Sequence, residues 1–345
     1  MRSWVPIRRF ALTPPMLAAL LLSPPASGSG DLAERGLRWL AEQQNRQGGW
    51  DAKGRYPTAM TALAGLALLS EGSTPAGGAY SQELRRAVDY LTRQARPNGL
   101  IGDPLRDDRY TYGHGFAMLF LSQVLGEEED EQRREQLVTI LTSAVGFTGQ
   151  AQTAAGGWGY VSASDGAGFD EGSTTVTQVQ GLRGCRNAGI ATQKKVIDDA
   201  VRYIHGCTLP EGGVQYSSKG GGGRPAITAA AIATLHNAGE YDDRYVPRML
   251  DYCRDRLGGL RGGSLGHWHY AHFYYAQVQF REGGQTWREY REWLAARLAG
   301  EATKAPTRRG PGCYWDQGYI GPVYTTSLNL VMMQLDNDCL PIFQR

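Results

Sequence analysis

Twelve helical patterns alternate along the chain between two kinds, and that alternation leaves few architectures open. Six segments carry charge along one side: residues 32–44, 82–94, 131–143, 194–205, 246–257 and 287–298. Their apolar residues recur at three and four positions, as in Val196, Ala200, Tyr203 and Ile204, which marks a helix with one buried face. The other six are nearly uncharged and rich in Ala, Thr, Leu and Tyr: residues 58–69, 112–125, 174–182, 226–235, 269–280 and 324–335. A helix with little charge on any side is surrounded by protein. The period, roughly 45–60 residues, implies stacked helix pairs. Six pairs can close into an all-α toroid of the α6/α6 kind, with uncharged helices inside and charged helices outside. Glycine supplies the reversals. It makes up 46 of the 345 residues, about 13% against a usual ~7%, and it gathers between the helical segments at 48–49, 156–157, 212–213 and 220–223.

The toroid is expected over residues 31–345. Residues 1–30 read as an export signal: Arg2, Arg8 and Arg9 open it, an apolar run follows at 17–22, and Ala26-Ser27-Gly28 offers a small-residue cleavage site. The apolar run is much shorter than the roughly 20 residues that span a bilayer. A periplasmic or secreted location follows, with no membrane segment in the mature chain. Loss of the three arginines takes the formal charge from +2 to −1, so a nucleic-acid partner is not expected. Five cysteines, with no CxxC pair, disfavour both a disulfide framework and a thiolate zinc site.

One motif is more specific than periodicity. Arg35-Gly36, Trp39-Leu40, Gln44, Gly48 and Trp50 stand in order around the first turn. Weaker copies follow: Tyr90-Leu91, Gln94 and Gly99; Phe147, Gln152, Gly156 and Trp158; Tyr203-Ile204, Gly212-Gly213 and Val214; Trp293-Leu294, Gly312 and Tyr314. The Gln can hydrogen-bond exposed helix-end groups, and the Trp can pack across to the next pair, so Trp50 and Trp158 are read as structural. This pattern resembles the QW repeat of the prenyltransferase and squalene oxidase repeat family, which includes squalene-hopene cyclases and protein prenyltransferase β subunits. The resemblance covers essentially the whole chain after the leader. It implies the toroid and a deep aromatic cavity for an isoprenoid.

The family's chemistry is less visible. Its cyclases carry an acidic DxDD motif at the start of an inner helix; here Ser173-Thr174 occupy that place, and neither can protonate an alkene. Asp170 and Glu171 lie one turn earlier and read first as helix caps, with an acid role as the alternative. The prenyltransferase zinc set would fall on Cys313, Asp316 and His272, in reversed order. His267, His269 and His272 cluster without a completing carboxylate, so no metal and no cofactor are assigned. His114, near the start of the second inner helix, is the best acid-base candidate. His114, Gln178, Thr228, Tyr270, His272 and Tyr324 are expected to face one central cavity that takes an apolar small molecule, isoprenoid in type. The reading is a divergent terpenoid cyclase or prenyltransferase-like protein. The alternative is a non-catalytic exported toroid that binds a protein, peptide or glycan. A glycosidase would need paired carboxylates at the ring mouth, for which Asp170 and Glu171 were the available pair.

Overall fold

The computed structural model describes residues 27–257 and 267–344. The expected export signal lies outside them up to residue 26, and residues 27–30 belong to the first helix. Among the described residues, twelve α-helices alternate between two layers. The outer layer holds α1 (Ser27–Glu42), α3 (Ser81–Arg93), α5 (Glu131–Ala151), α7 (Lys194–Cys207), α9 (Val246–Leu257) and α11 (Gly284–Glu301). The inner layer holds α2 (Pro57–Ser70), α4 (Tyr110–Glu127), α6 (Gly172–Asn187), α8 (Pro225–Ala238), α10 (Trp268–Glu282) and α12 (Pro322–Met333). Each inner helix packs on the next, and α12 returns to α2, so the ring closes. Every residue of α2 is buried, whereas α3 buries only Leu84, Ala87, Val88, Tyr90 and Leu91. The charge pattern therefore separated the layers correctly. No helix among the described residues is long and apolar enough to cross a membrane.

A repeated turn explains the motif. Residues 45–49, 96–100, 153–157 and 209–213 share one pattern, in which the first residue donates to the fifth and the glycine in fourth place donates back to the first, as in Thr153 N to Gly157 O and Gly156 N to Thr153 O, both 2.9 Å. Gly156 has φ +97°, and a Cβ there would lie 2.2 Å from the Asp199 carbonyl oxygen of α7. Only glycine meets both conditions. The motif Gln ties this turn to the next outer helix: Gln44 donates to Gly48 O and Glu83 O, and Gln152 to Gly156 O and Val196 O, at 2.8–2.9 Å. The motif Trp is fully buried and donates from Nε1 to an outer-helix carbonyl: Trp50 to Leu40, Trp158 to Thr148 and Trp315 to Leu298.

Trp315 is thus the tryptophan of the last copy, a place the sequence reading gave to Tyr314. Gly312 and Tyr314 instead lie on an unexpected hairpin, β1 (Thr303–Thr307) with β2 (Gly310–Tyr314), which packs on α1. Pro306 and Pro311, which face each other in its register, lack the N–H that a helix would need there.

A candidate site at the mouth of the ring

The helices alternate in direction, so all six inner N-termini open on one mouth. Arg55 before α2 pairs with Asp108 before α4, Thr111 of α4 donates to Tyr160 O before α6, and Gly172 of α6 donates to Tyr216 O before α8. The opposite end is closed by the C-terminal segment: Gln334 donates to Ala67 O, Asn337 to Ser70 O, and Ile342 N–H to Gln123 Oε1.

The expected central cavity is not formed by the six residues assigned to it. Three stand at one register in the repeat and face away from the ring axis. Just past each turn, an inner-helix side chain accepts a backbone N–H: Thr61 from Trp50, His114 from Ile101, Thr175 from Trp158, Thr228 from Val214 and Thr326 from Trp315, at 2.9–3.1 Å. His114 and Thr228 are therefore clips. Because His114 Nδ1 accepts, its proton sits on Nε2, which donates to Thr148 Oγ1 at 3.0 Å on α5. Burial pushes its pKa down to about 4, so it is a neutral structural residue and not the acid-base group expected. His272, fifth in α10 like His114 in α4, turns outward to Tyr290 of α11, with Nδ1 2.7 Å from Tyr290 Oη and the rings stacked. Gln178 lies between α6 and α4 and donates to Thr111 O at 2.7 Å.

Tyr270 and Tyr324 are the two that join the ring interior. Tyr270 reaches from α10 to the Ser173 carbonyl of α6 at 2.9 Å. Tyr112 of α4 bonds Ser173 Oγ and, at 3.1 Å, Glu171. Burial and mutual repulsion raise Tyr112, Tyr270 and Tyr274 well above the ordinary tyrosine pKa, with Tyr324 contributing to each shift. These tyrosines fill space. Two described cavities, of about 240 Å³ beside Tyr110 and Phe147 and about 280 Å³ beside Tyr241 and the C-terminal segment, are lined by none of the six residues.

Neither acidic candidate is free. Glu171 is fully buried and caps α6: its carboxylate accepts from Ser173 N and Oγ, Thr174 N and Tyr112 Oη. Burial raises its pKa while those hydrogen bonds oppose the rise. Asp170 is buried and staples the following loop, accepting from Ser218 N at 2.8 Å and from Ser217 and Ser218 hydroxyls. The cap reading of this pair describes Glu171; Asp170, read as a cap as well, holds the 217–218 loop instead. A third carboxylate escaped notice. Asp107, before α4, is buried, accepts one bond from Arg109 N, and leaves Oδ2 unpartnered; burial pushes it up to about 6. Among the described residues no three His, Cys, Asp or Glu side chains converge as a metal site. Cys313 is buried against Leu32 O, and Asp316 is exposed. All five cysteines are free thiols.

What the mouth does present is an aromatic strip over α4, α6 and α8. Tyr112 stacks on Tyr160 with centroids 5.9 Å apart, Tyr160 meets Phe169 at 5.9 Å, and Phe169 meets Tyr216 at 6.3 Å. The hydroxyls of Tyr160 and Tyr216 bond each other. All four rings are half-buried. Two of the rings carry a guanidinium: Arg109 lies 4.3 Å from the Tyr160 centroid and Arg224 lies 4.8 Å from that of Tyr216. His267, before α10, has its pKa lowered by burial and then by Arg224 and Arg109; exposed Tyr319 packs edge-on against it. The sequence carried one trace of the strip: Tyr160 and Tyr216 each stand two residues past the repeat's large apolar residue, Trp158 or Val214.

No family model and no curated protein matches the chain. Solved structures do. An inactive variant of an α-1,6-mannanase from Salegentibacter, in complex with α-1,6-mannotriose, is similar over 89% of this chain and 98% of its own, at 12% identity and TM-score 0.58. The type II terpene cyclase MstE from Scytonema aligns over 68% of this chain and 80% of its own, at 17% identity and TM-score 0.35. The likeness to the mannanase speaks for the α/α toroid fold alone.

Proposed function

We propose that this chain is an exported glycan-binding toroid that holds a sugar chain across the aromatic strip at the mouth of the ring. The strip carries the reading. Half-exposed, mutually braced rings offer flat apolar faces to the C–H faces of sugars, and adjoining hydroxyls and guanidiniums offer hydrogen bonds to their oxygens. An isoprenoid chain would instead call for a deep apolar pocket. Tyr112 and Tyr270, both bonded to Ser173, reach into the ring interior where such a pocket would lie. The toroid that carries mannotriose is compatible with this reading at the level of fold. Asp170 and Glu171 have their oxygens committed to backbone and hydroxyl donors, which favours binding without cleavage.

The test is a glycan array with the chain from residue 31, with geranylgeraniol titrated separately. Binding to a glycan class, lost in Tyr160→Ala with the fold retained by circular dichroism, is the expected result. Geranylgeraniol binding with no glycan bound would overturn the proposal and restore the isoprenoid reading.

A further inference from the structure

We infer that the glycan held at the mouth is acidic, with carboxylate or sulfate substituents received by Arg109 and Arg224; this rests on the glycan-binding reading above. The two guanidiniums lie over the adjoining rings of Tyr160 and Tyr216 and make cation–π contacts, but neither forms an ion pair among the described residues. Other cations near the mouth are committed differently. Arg55 is paired with Asp108 at 3.2 Å, and Asp108 is the carboxylate that acts electrostatically on Arg109. Nearby, Asp107, Asp170 and Glu171 are buried and exposed Asp165 is turned to the Tyr110 hydroxyl, whereas Arg109 is half-exposed and Arg224 exposed. Solvent at the strip therefore meets positive charge.

Two further observations point the same way. Arg109 and Arg224 precede α4 and α8, yet the rings beneath them, Tyr160 and Tyr216, are joined by their hydroxyls, and both cations act on the imidazole of His267. The mouth also collects helix ends. The residues preceding α2, α4, α8, α10 and α12 provide no side-chain cap, and only α6 is capped, by Glu171. Without a side-chain cap, the positive ends of these helix dipoles face the mouth uncompensated by an acidic cap. A neutral polysaccharide would leave these charges unanswered. A chain bearing an anion on successive sugars would stack its rings on Tyr160, Phe169 and Tyr216 and meet both guanidiniums. Arginine suits this role because its planar fork pairs with a carboxylate or sulfate while its face rests on an aromatic ring.

Isothermal titration at low and at moderate salt tests the inference with five probes: oligogalacturonate, dextran sulfate oligosaccharide, α-1,6-mannotriose, a neutral β-glucan hexasaccharide and polyglutamate. At least one acidic glycan should bind roughly 10-fold or more tighter than the neutral ones, since charge-assisted hydrogen bonds are stronger than neutral ones, and the preference should shrink with salt. The carboxylate and sulfate arms identify the anion. Arg109→Gln and Arg224→Gln should each lower that affinity without lowering the melting temperature by more than the loss of one cation–π contact, and Arg224→Lys should restore part of it. Equal affinity for neutral and acidic glycans would overturn this inference while leaving glycan binding intact. Failure of every glycan would overturn both. Polyglutamate binding as tightly as oligogalacturonate would show that the rings contribute nothing and would also overturn it.

Discussion

Lowering the pH from 7 to 5 should remove about half of the stability of this fold, because four histidines are buried in the neutral form. His114, His236 and His269 have pKa values lowered from 6.5 to about 4, and His272 to about 3, in every case chiefly by burial. The unfolded chain takes up these protons near pH 6.5, whereas the folded chain refuses them until about pH 4 or below. Stability is therefore complete above pH 6.5 and is lost as the pH falls toward the folded values. Between pH 7 and 5 each histidine costs about 2 kcal/mol, and the four together about 7 kcal/mol. Asp107 works in the opposite sense. Its pKa is raised from 3.8 to about 6, so it returns about 1 kcal/mol over the same interval, and buried Glu171 acts in the same direction. A net loss near 6 kcal/mol compares with a usual total of about 5–15 kcal/mol. Urea unfolding followed by tryptophan fluorescence at pH 8, 7, 6 and 5 measures it. His114→Thr supplies the control, because threonine is the clip in four other copies: Thr61, Thr175, Thr228 and Thr326. The variant can lose absolute stability through its smaller volume, but about a quarter of the pH dependence should vanish with it. A stability that changes by less than about 1 kcal/mol between pH 7 and 5, or a slope unaltered in His114→Thr, would refute the assignment of these imidazoles as buried and neutral.

Trp158→Ala should cost about 3–5 kcal/mol, as for a buried tryptophan generally, and show as a clear fall in melting temperature; an unchanged melting temperature would mean that the repeat turn does not need it. Thr228→Val should cost about 1–3 kcal/mol because the buried Val214 N–H loses its acceptor, while glycan affinity stays the same; a loss of affinity with stability intact would return Thr228 to the ligand site. Asp107→Asn should steepen the loss of stability on acidification between pH 6 and 4, since the penalty of ionising this carboxyl is complete above about 6 and absent below 3.8, and its relief no longer offsets the histidines; an unchanged profile would show that Asp107 is hydrated.

The layers were legible because outer helices must present charge to water and inner helices need not. α3 and α2 differ in that respect along their whole length. Direction within the inner layer was not legible for the same reason. A helix buried on every side has no amphipathic stripe to say which residues face the axis, so His114 and Thr228 could be placed at equal depth but not aimed. Their partners, the N–H groups of Ile101 and Val214, belong to turns whose register is a property of the folded repeat. Trp315 was hidden by the hairpin that replaces the glycine turn before it.

The mouth escaped notice because its residues lie between periodic segments. Arg106-Asp107-Asp108-Arg109 reads as a solvated charge run, and only the packed ring buries Asp107 and lays Arg109 on Tyr160. Yet the repeat itself marks the place. Two residues past the large apolar residue, the copies carry Ala52, Asp103, Tyr160, Tyr216 and Gln317. Thr61, Thr175, Thr228 and Thr326 are shared among copies, as a structural clip requires, whereas the two tyrosines occur only in the copies that lead into α6 and α8. A closed ring needs its copies alike where helices stack and tolerates difference where they meet solvent. A ligand that touches one arc of the mouth is served by difference there. The aromatic strip lies on that arc, with both tyrosines lying under arginines that no ion pair among the described residues neutralises.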